Sequence, residues 1–315
     1  MRSLFSVYSI LGGLMLSGVA LSLATSPARS QKRSVVLCGT YNPTPAEAQQ
    51  IESRTKTLLT KLKLSKGVAA APALANIDVY VHVITRADGT TGNVTDENIQ
   101  KLVDVLNDGF AGNYKLPDGV TPLGPNANTR FRFTLKGIDR TANDTWYGDG
   151  NTYAMKSALR KGDARTLNIY LCSIIPNGLV GYAVFPWWYK NDPIGDGVVY
   201  DNTAMPGSGG FYQSGRVLTH EVGHWAGLYH TFQGGCSKYN DYVGDTNAES
   251  SPFRGDWFSG GRSPASQPDT CTGRNYPGKD PTDNQMDYSD DTSRVRFTAA
   301  QANRMSELCR IYRGL

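Results

Sequence analysis

HEVGHWAGLYH, residues 220–230, holds three of the chain's four histidines. Neutral imidazole is a strong zinc ligand. On a helix, His220 and His224 stand at i and i+4 and project from one face. Glu221 lies one residue round, beside such a metal without being obliged to bind it, which suits a general base acting on a water. Gly227, three residues after His224, takes a positive φ at no steric cost, so the helix can end there and the chain can turn. The turn brings His230 back as a third ligand. Three protein ligands leave a fourth position open, the arrangement of catalytic rather than structural zinc. The competing reading is a buried helix with structural histidines, in which three clustered imidazoles would each need a partner.

The rest of the chain is ordinary in bulk and uneven in charge. Its 315 residues are 39% hydrophobic and 19% charged, enough for one large domain or two small ones. Residues 25–72 carry eight Lys or Arg against two Glu, whereas residues 73–315 carry 23 basic against 26 acidic residues. The basic residues are scattered without aromatic platforms, which argues against nucleic acid as a partner. Arg2 followed by the uncharged, apolar run Leu4 to Leu23 reads as a signal peptide cut near Ala24. The rival reading, a membrane anchor, is weakened by Gly12, Gly13 and Gly18. No later stretch is apolar enough to span a membrane. Five cysteines in a secreted chain imply disulfides and one thiol left over, and spacing alone leaves the pairing open.

Periodicity outlines an α/β (α+β) domain. Residues 44–64 favour a helix with Pro45 in its first turn, and the Ala/Pro-rich run 68–75 reads as a linker. Strands are expected at 77–85, 131–138, 166–172, 179–185 and 195–201, with helices at 96–110 behind Thr95, at 153–160, and from Ser214 through the histidines. His82, alone on a strand, reads as a satisfied structural residue. Asn93 and Asn143 begin Asn-X-Thr glycosylation sequons. After His230 the chain turns irregular and polar. Cys236 and Cys271 bracket a loop that buries little and benefits from a staple. Asp241 and Asp245 within it suit calcium, or simply a solvated acidic loop.

The extended motif resembles that of the metzincin metallopeptidases. HEVGHWAGLYHTFQGGC, residues 220–236, resembles the pappalysin family and its secreted cytophagalysin-like members. The resemblance implies a metzincin-like zincin: a twisted, mostly parallel sheet, a backing helix, a zinc-binding helix, and an irregular C-terminal subdomain. It implies a signal peptide at 1–24, a pro-segment at 25–72 and a metallopeptidase domain at 73–315. The activity implied is zinc-dependent endopeptidase action on extracellular proteins or peptides by a monomer free of the membrane once the signal is removed. Cys38-Gly39-Thr40 resembles the family's pro-segment motif, in which Cys38 closes the open zinc position and keeps the enzyme latent; the rival is Cys38 in a disulfide. NDYVGDTN, 240–247, resembles a family calcium stretch at Asp241, Val243, Asp245 and Thr246 but departs from it at Asn240 and Asn247. NQMDYSDD, 284–291, resembles the Met-turn, with Met286 as apolar floor and Tyr288 placed to stabilise an oxyanion.

The same resemblance makes Leu179 to Phe185 a substrate-holding edge strand, against an ordinary strand packed on Trp187. Cys309 is expected to reach Cys172, leaving Cys38 free. Asp290 and Asp291 would favour a basic side chain after the cut bond, or are surface charge. The alternative function is a catalytically silent secreted binding protein, and the intact histidines and Glu221 argue against it.

Overall fold

Ile77, Val79, Val81 and Val83 recur at every second position and so share one face of a strand. That strand is β2, Ala75–Thr85, the inner member of the sheet. The computed structural model describes residues 36–66, 74–116, 121–209, 212–255 and 267–315. β2 runs parallel to β3 (Phe131–Ala142) on one side and to β4 (Leu167–Cys172) on the other. β6 (Val198–Asp201) continues parallel to β4, and β5 (Leu179–Ala183) returns antiparallel to β6. β1, Val36–Cys38, adds a last strand parallel to β5, giving the order β1-β5-β6-β4-β2-β3. β3 continues past the expected end at Ile138 because, after a register shift between Val79 and Tyr80, it follows β2 to Thr85.

A mostly parallel sheet needs cover on both faces. One face packs against α2 (Asp96–Ala111), α5 (Arg216–Trp225) and α6 (Ala299–Tyr312). Thr95 caps α2 by accepting the Asn98 N–H at 3.3 Å, and Ile99, Leu102, Val103, Leu106 and Phe110 form its buried stripe. Each such fully buried side chain contributes about 1.5–3 kcal/mol, so packing outweighs helix propensity here. The other face is covered by α3 (Asp144–Tyr147) and α4 (Thr152–Leu159) over Ile84, Tyr170, Cys172 and Val199. His82 is fully buried, with Nδ1 2.8 Å from Asp139 and Nε2 3.0 Å from Asn168 Oδ1. Both ring nitrogens are thus bound within the sheet.

The described residues lie in one compact unit, Ser34–Leu315. The expected signal peptide and most of the linker fall outside the described residues. Asn93 is exposed, and its side-chain oxygen accepts from Arg140 Nε at 2.9 Å. Asn143 is half-buried and caps α3 by accepting the Trp146 N–H at 3.0 Å. Between Trp225 and Ala299 the described residues form no helix or strand, only an isolated bridge between Asn284 and Arg296. The staple Cys236–Cys271 is made there, with Cα atoms 5.3 Å apart.

The expected Cys172–Cys309 pairing is corrected. Along β4, Ile169 and Leu171 face α2 and α5, while Tyr170 and Cys172 face α4. Cys309 lies on α6, so the sheet stands between the two thiols. Cys172 Sγ lies 3.8 Å from Met155 Sδ, and Cys309 Sγ points to the Ala226 carbonyl at 3.8 Å. Both are free, as is Cys38. Thiol titration of the denatured, unreduced chain should therefore count three free thiols; a single one would restore the Cys172–Cys309 bond.

Candidate metal centre

α5 carries the first two histidines through the core. All residues from Val217 to Trp225 are buried, so the helix is held on every side. It ends as Gly227 takes φ +106° and the Leu228 N–H bonds the Gly223 carbonyl at 2.9 Å. The turn then directs His230 back beneath the helix. Each imidazole is fixed through Nδ1: His220 by the Gln285 carbonyl at 2.6 Å, His224 by the Leu228 carbonyl at 2.7 Å, and His230 by Asn42 Oδ1 at 2.9 Å. Carbonyl oxygens only accept, so these Nδ1 atoms carry the protons and the Nε2 lone pairs face inward.

Those lone pairs converge. Nε2 of His224 lies 3.1 Å from that of His220 and 3.0 Å from that of His230. Cys38 Sγ completes a set of four buried donor atoms, all within 4.8 Å of one another. Burial drives the three imidazoles towards the neutral form; His224 is pushed down to about 4, and His220 and His230 lie well below the usual histidine range. Burial likewise raises the Cys38 thiol, with Glu221 adding to the effect. Three neutral nitrogens and a sulfur, oriented by second partners and with no proton between them, fit a zinc ion.

Glu221 stands at the edge of this set. Its Oε2 accepts from Thr40 Oγ at 3.0 Å and from Cys38 Sγ at 3.3 Å, while its buried Oε1 has no hydrogen-bond partner among the described residues. Burial pushes its pKa up to about 8, against the pull of those two hydrogen bonds. Tyr288 closes the other side, its hydroxyl donating to the Cys38 carbonyl at 3.1 Å. Met286 lies directly under α5: a Cβ at Gly223 would stand 2.6 Å from its sulfur, so a larger residue there would push Met286 aside. Met286 is itself held by Asn284, which exchanges amide hydrogen bonds with Gln301 in the first turn of α6.

Other expected site residues lie elsewhere. Asp241 is buried and accepts from the Thr246 hydroxyl at 2.7 Å and the Val243 N–H at 3.0 Å; burial pushes it up to about 7. Asp245 instead accepts from Thr298 Oγ at 2.5 Å and the Ala300 N–H at 2.9 Å, at the start of α6. Asp291 is buried, bonded to Ser214 and, at 2.7 Å, to Arg294. It is therefore not available to read a basic substrate side chain, which corrects that expectation for Asp291. Sequence reasoning misses Thr40 and Asn42 as site residues. The only signal for them is their position just after Cys38.

Residues 159–310 match the family Peptidase_M43, Pregnancy-associated plasma protein-A. An extracellular metalloprotease of Pyricularia oryzae is 39% identical over 250 residues, which cover 78% of this chain and 79% of its own. The chain belongs to this pappalysin family. Among solved structures, mature mirolysin of Tannerella forsythia in complex with a cleaved peptide is 30% identical and covers 74% of this pappalysin and 90% of its own chain, with a TM-score of 0.61. A promirolysin mutant from the same organism is 28% identical and covers 89% of this pappalysin and 95% of its own chain, with a TM-score of 0.69. The pappalysin is thus a metzincin-type zinc metallopeptidase, a hydrolase of peptide bonds, and its family implies a catalytic zinc.

Proposed function

We propose that this pappalysin is a secreted endopeptidase made as a latent precursor, with a signal peptide at 1–24, a pro-segment at 25–72 and a catalytic domain at 73–315. The observation that carries the proposal is the convergence of three Nε2 atoms and Cys38 Sγ beside Glu221. Secretion is supported by the uncharged N-terminal run and by relatives named extracellular metalloproteases. No helix among the described residues is long and apolar enough to cross a membrane. Nothing favours the silent binding protein.

In this reading His220, His224 and His230 hold the zinc. When bound, zinc supplies Lewis acidity towards a water and the substrate carbonyl. Glu221 accepts the proton of the attacking water at its Oε atoms, for which a raised pKa is suited, and returns it to the leaving amine. Tyr288 would donate a hydrogen bond to the oxyanion from the place where its hydroxyl now meets the Cys38 carbonyl. β5 is the free edge of the catalytic sheet once β1 leaves, and an extended substrate would add to it as a strand. Calcium would lie in the loop of Asp241 and Asp245; a rise in thermal midpoint on adding calcium to chelated protein is the check.

Latency follows from the Cys38–Thr40 segment. It would present a sulfur, not a scissile carbonyl, to a metal held by the three imidazoles, so nothing there would be hydrolysed. Thr40 adds a second block: its hydroxyl donates to Glu221 and accepts from the Ala183 N–H at 2.8 Å, tying the base to the edge strand. Cys38→Ala and Thr40→Val should each shorten the lag before precursor activity by severalfold, and the double variant should shorten it further. A lag unchanged in both would remove this account of latency. Chelator-sensitive cleavage of a denatured protein mixture by the processed form tests the peptidase reading itself.

A further inference from the structure

α1, Pro45–Lys66, rests on a surface that peptide hydrolysis does not use. Ala48, Ile51, Glu52, Thr55 and Leu59 recur at helical spacing and face inward, while most residues between them are exposed. Ala48 and Ile51 pack against Phe185, Trp187, Tyr229 and Leu308. The floor is aromatic and continuous: Phe185 stacks on Trp187 at 4.4 Å and meets Tyr229 at 5.5 Å. At one side stands Arg304. Its two terminal nitrogens donate to both oxygens of Glu52, at 2.9 and 2.5 Å, and its guanidinium lies over the Tyr229 ring at 5.0 Å. Thr55 and Tyr312 share a hydroxyl hydrogen bond of 3.0 Å.

Three features separate this surface from an ordinary core seam. Open clefts of about 270, 330 and 480 Å³ run along the flanks of α1, whereas core seams are packed with few voids larger than a water. α1 is therefore seated rather than merged. Phe185 also meets His224 at 5.4 Å, so the surface begins one ring away from the metal centre. Finally, departure of α1 uncovers the aromatic floor and takes away the carboxylate that Arg304 binds with a two-pronged geometry. Aromatic rings around an arginine are the composition of binding hot spots.

We propose that this surface is a helix-docking exosite of the processed enzyme. Its occupant is an amphipathic helical segment of a protein substrate, with a carboxylate where Glu52 now meets Arg304. The proposal rests on the peptidase and pro-segment readings above. It implies that the enzyme favours substrates with an acid-bearing helix near the cut bond, held in the helix-in-groove manner.

The probe is a synthetic peptide of residues 44–66, which lacks Cys38 and β1 and so cannot cover the metal centre. Processed enzyme, freed of its pro-segment, is titrated with the labelled peptide. Hydrolysis of apomyoglobin, a helical protein, and of a short peptide spanning only the metal centre is then followed with and without the probe. Saturable binding is expected, about tenfold or more weaker for the probe bearing Glu52→Gln, as loss of charge-assisted hydrogen bonds predicts. Saturating probe should slow apomyoglobin cleavage severalfold and leave short-peptide turnover within about twofold. Placing the substitution in the probe avoids disturbing Arg304, which also donates to the Gly227 carbonyl at 3.1 Å. No saturable binding, or binding indifferent to Glu52→Gln, overturns the exosite. So does bound probe that leaves apomyoglobin cleavage unchanged, which would make the surface a seat for the pro-segment alone, and so does equal inhibition of both substrates. Absence of short-peptide turnover would instead count against the peptidase reading, because the binding titration does not depend on activity.

Discussion

Glu221→Ala should leave zinc content at one ion per chain and lower kcat/KM of the processed enzyme by about 10³-fold or more, at the upper range of general acid–base effects. The three imidazoles are fixed by Gln285, Leu228 and Asn42, whose hydrogen bonds to them do not pass through Glu221, so the metal set does not need the carboxylate. Among the described residues, the carboxylate's hydrogen-bond donors are Thr40 and Cys38 of the Cys-Gly-Thr segment. Turnover of a short peptide, read beside metal content by elemental analysis, separates the two roles. Normal metal content with retained turnover would require another base, and lost metal would place Glu221 among the ligands.

Stripping the metal from the full chain should expose a pH dependence of stability set by the buried histidines on one side and Glu221 on the other. Folding lowers His224 from about 6.5 to about 4 because burial penalises its charged form. The unfolded chain then binds more protons between those values, so stability falls as pH drops from about 6.5 to about 4. This one group contributes on the order of 3 kcal/mol, and His220 and His230 shift in the same direction. Glu221 acts on the other side. Its folded pKa of about 8 lies above the unfolded value, so its contribution is present at low pH and is lost as pH rises from about 4.5 to about 8. In thermal midpoints, the histidines should therefore cost chelated protein stability below about pH 6.5, while Glu221, joined by the buried Asp241 raised to about 7, should cost it stability as pH rises from about 4.5, and zinc-loaded protein should be flatter and more stable. Parallel curves with and without metal would mean that these groups do not share a site.

The parts of the site legible in the sequence are the local ones. His220 and His224 are one helical turn apart, and Gly227 marks the turn that returns His230, so spacing alone carries the geometry. The alternation Ile77 to Val83 and the Thr95 cap are equally readable. What escapes depends on pairings across the chain. Thr40 meets Glu221 and Asn42 meets His230 over separations of 181 and 188 residues, and no period links them. β1 escapes because three residues have too short a pattern to read as a strand. The Cys172 misassignment is avoidable in principle, since Cys172 neighbours Leu171 on a strand and must point away from the face that Leu171 shares with α6. Asp291 needs only its neighbour three residues on, Arg294, to lose its appeal as a substrate reader.

The proposed latency would also be a matter of volume. Beyond the chain itself, β1 and α1 hold the rest of the fold by hydrogen bonds, the Glu52–Arg304 ion pair and packing, and Cys38 is a free thiol. While the chain is whole, the tether keeps β1 and α1 at an effective concentration in the millimolar range, about that of a short flexible link. A single cut before β2 turns the same contacts into a two-body equilibrium. In a crowded secretory compartment the cut segment would stay on. On the proposed reading, dilution outside the cell would let it leave and not return, so secretion would be the final step of activation.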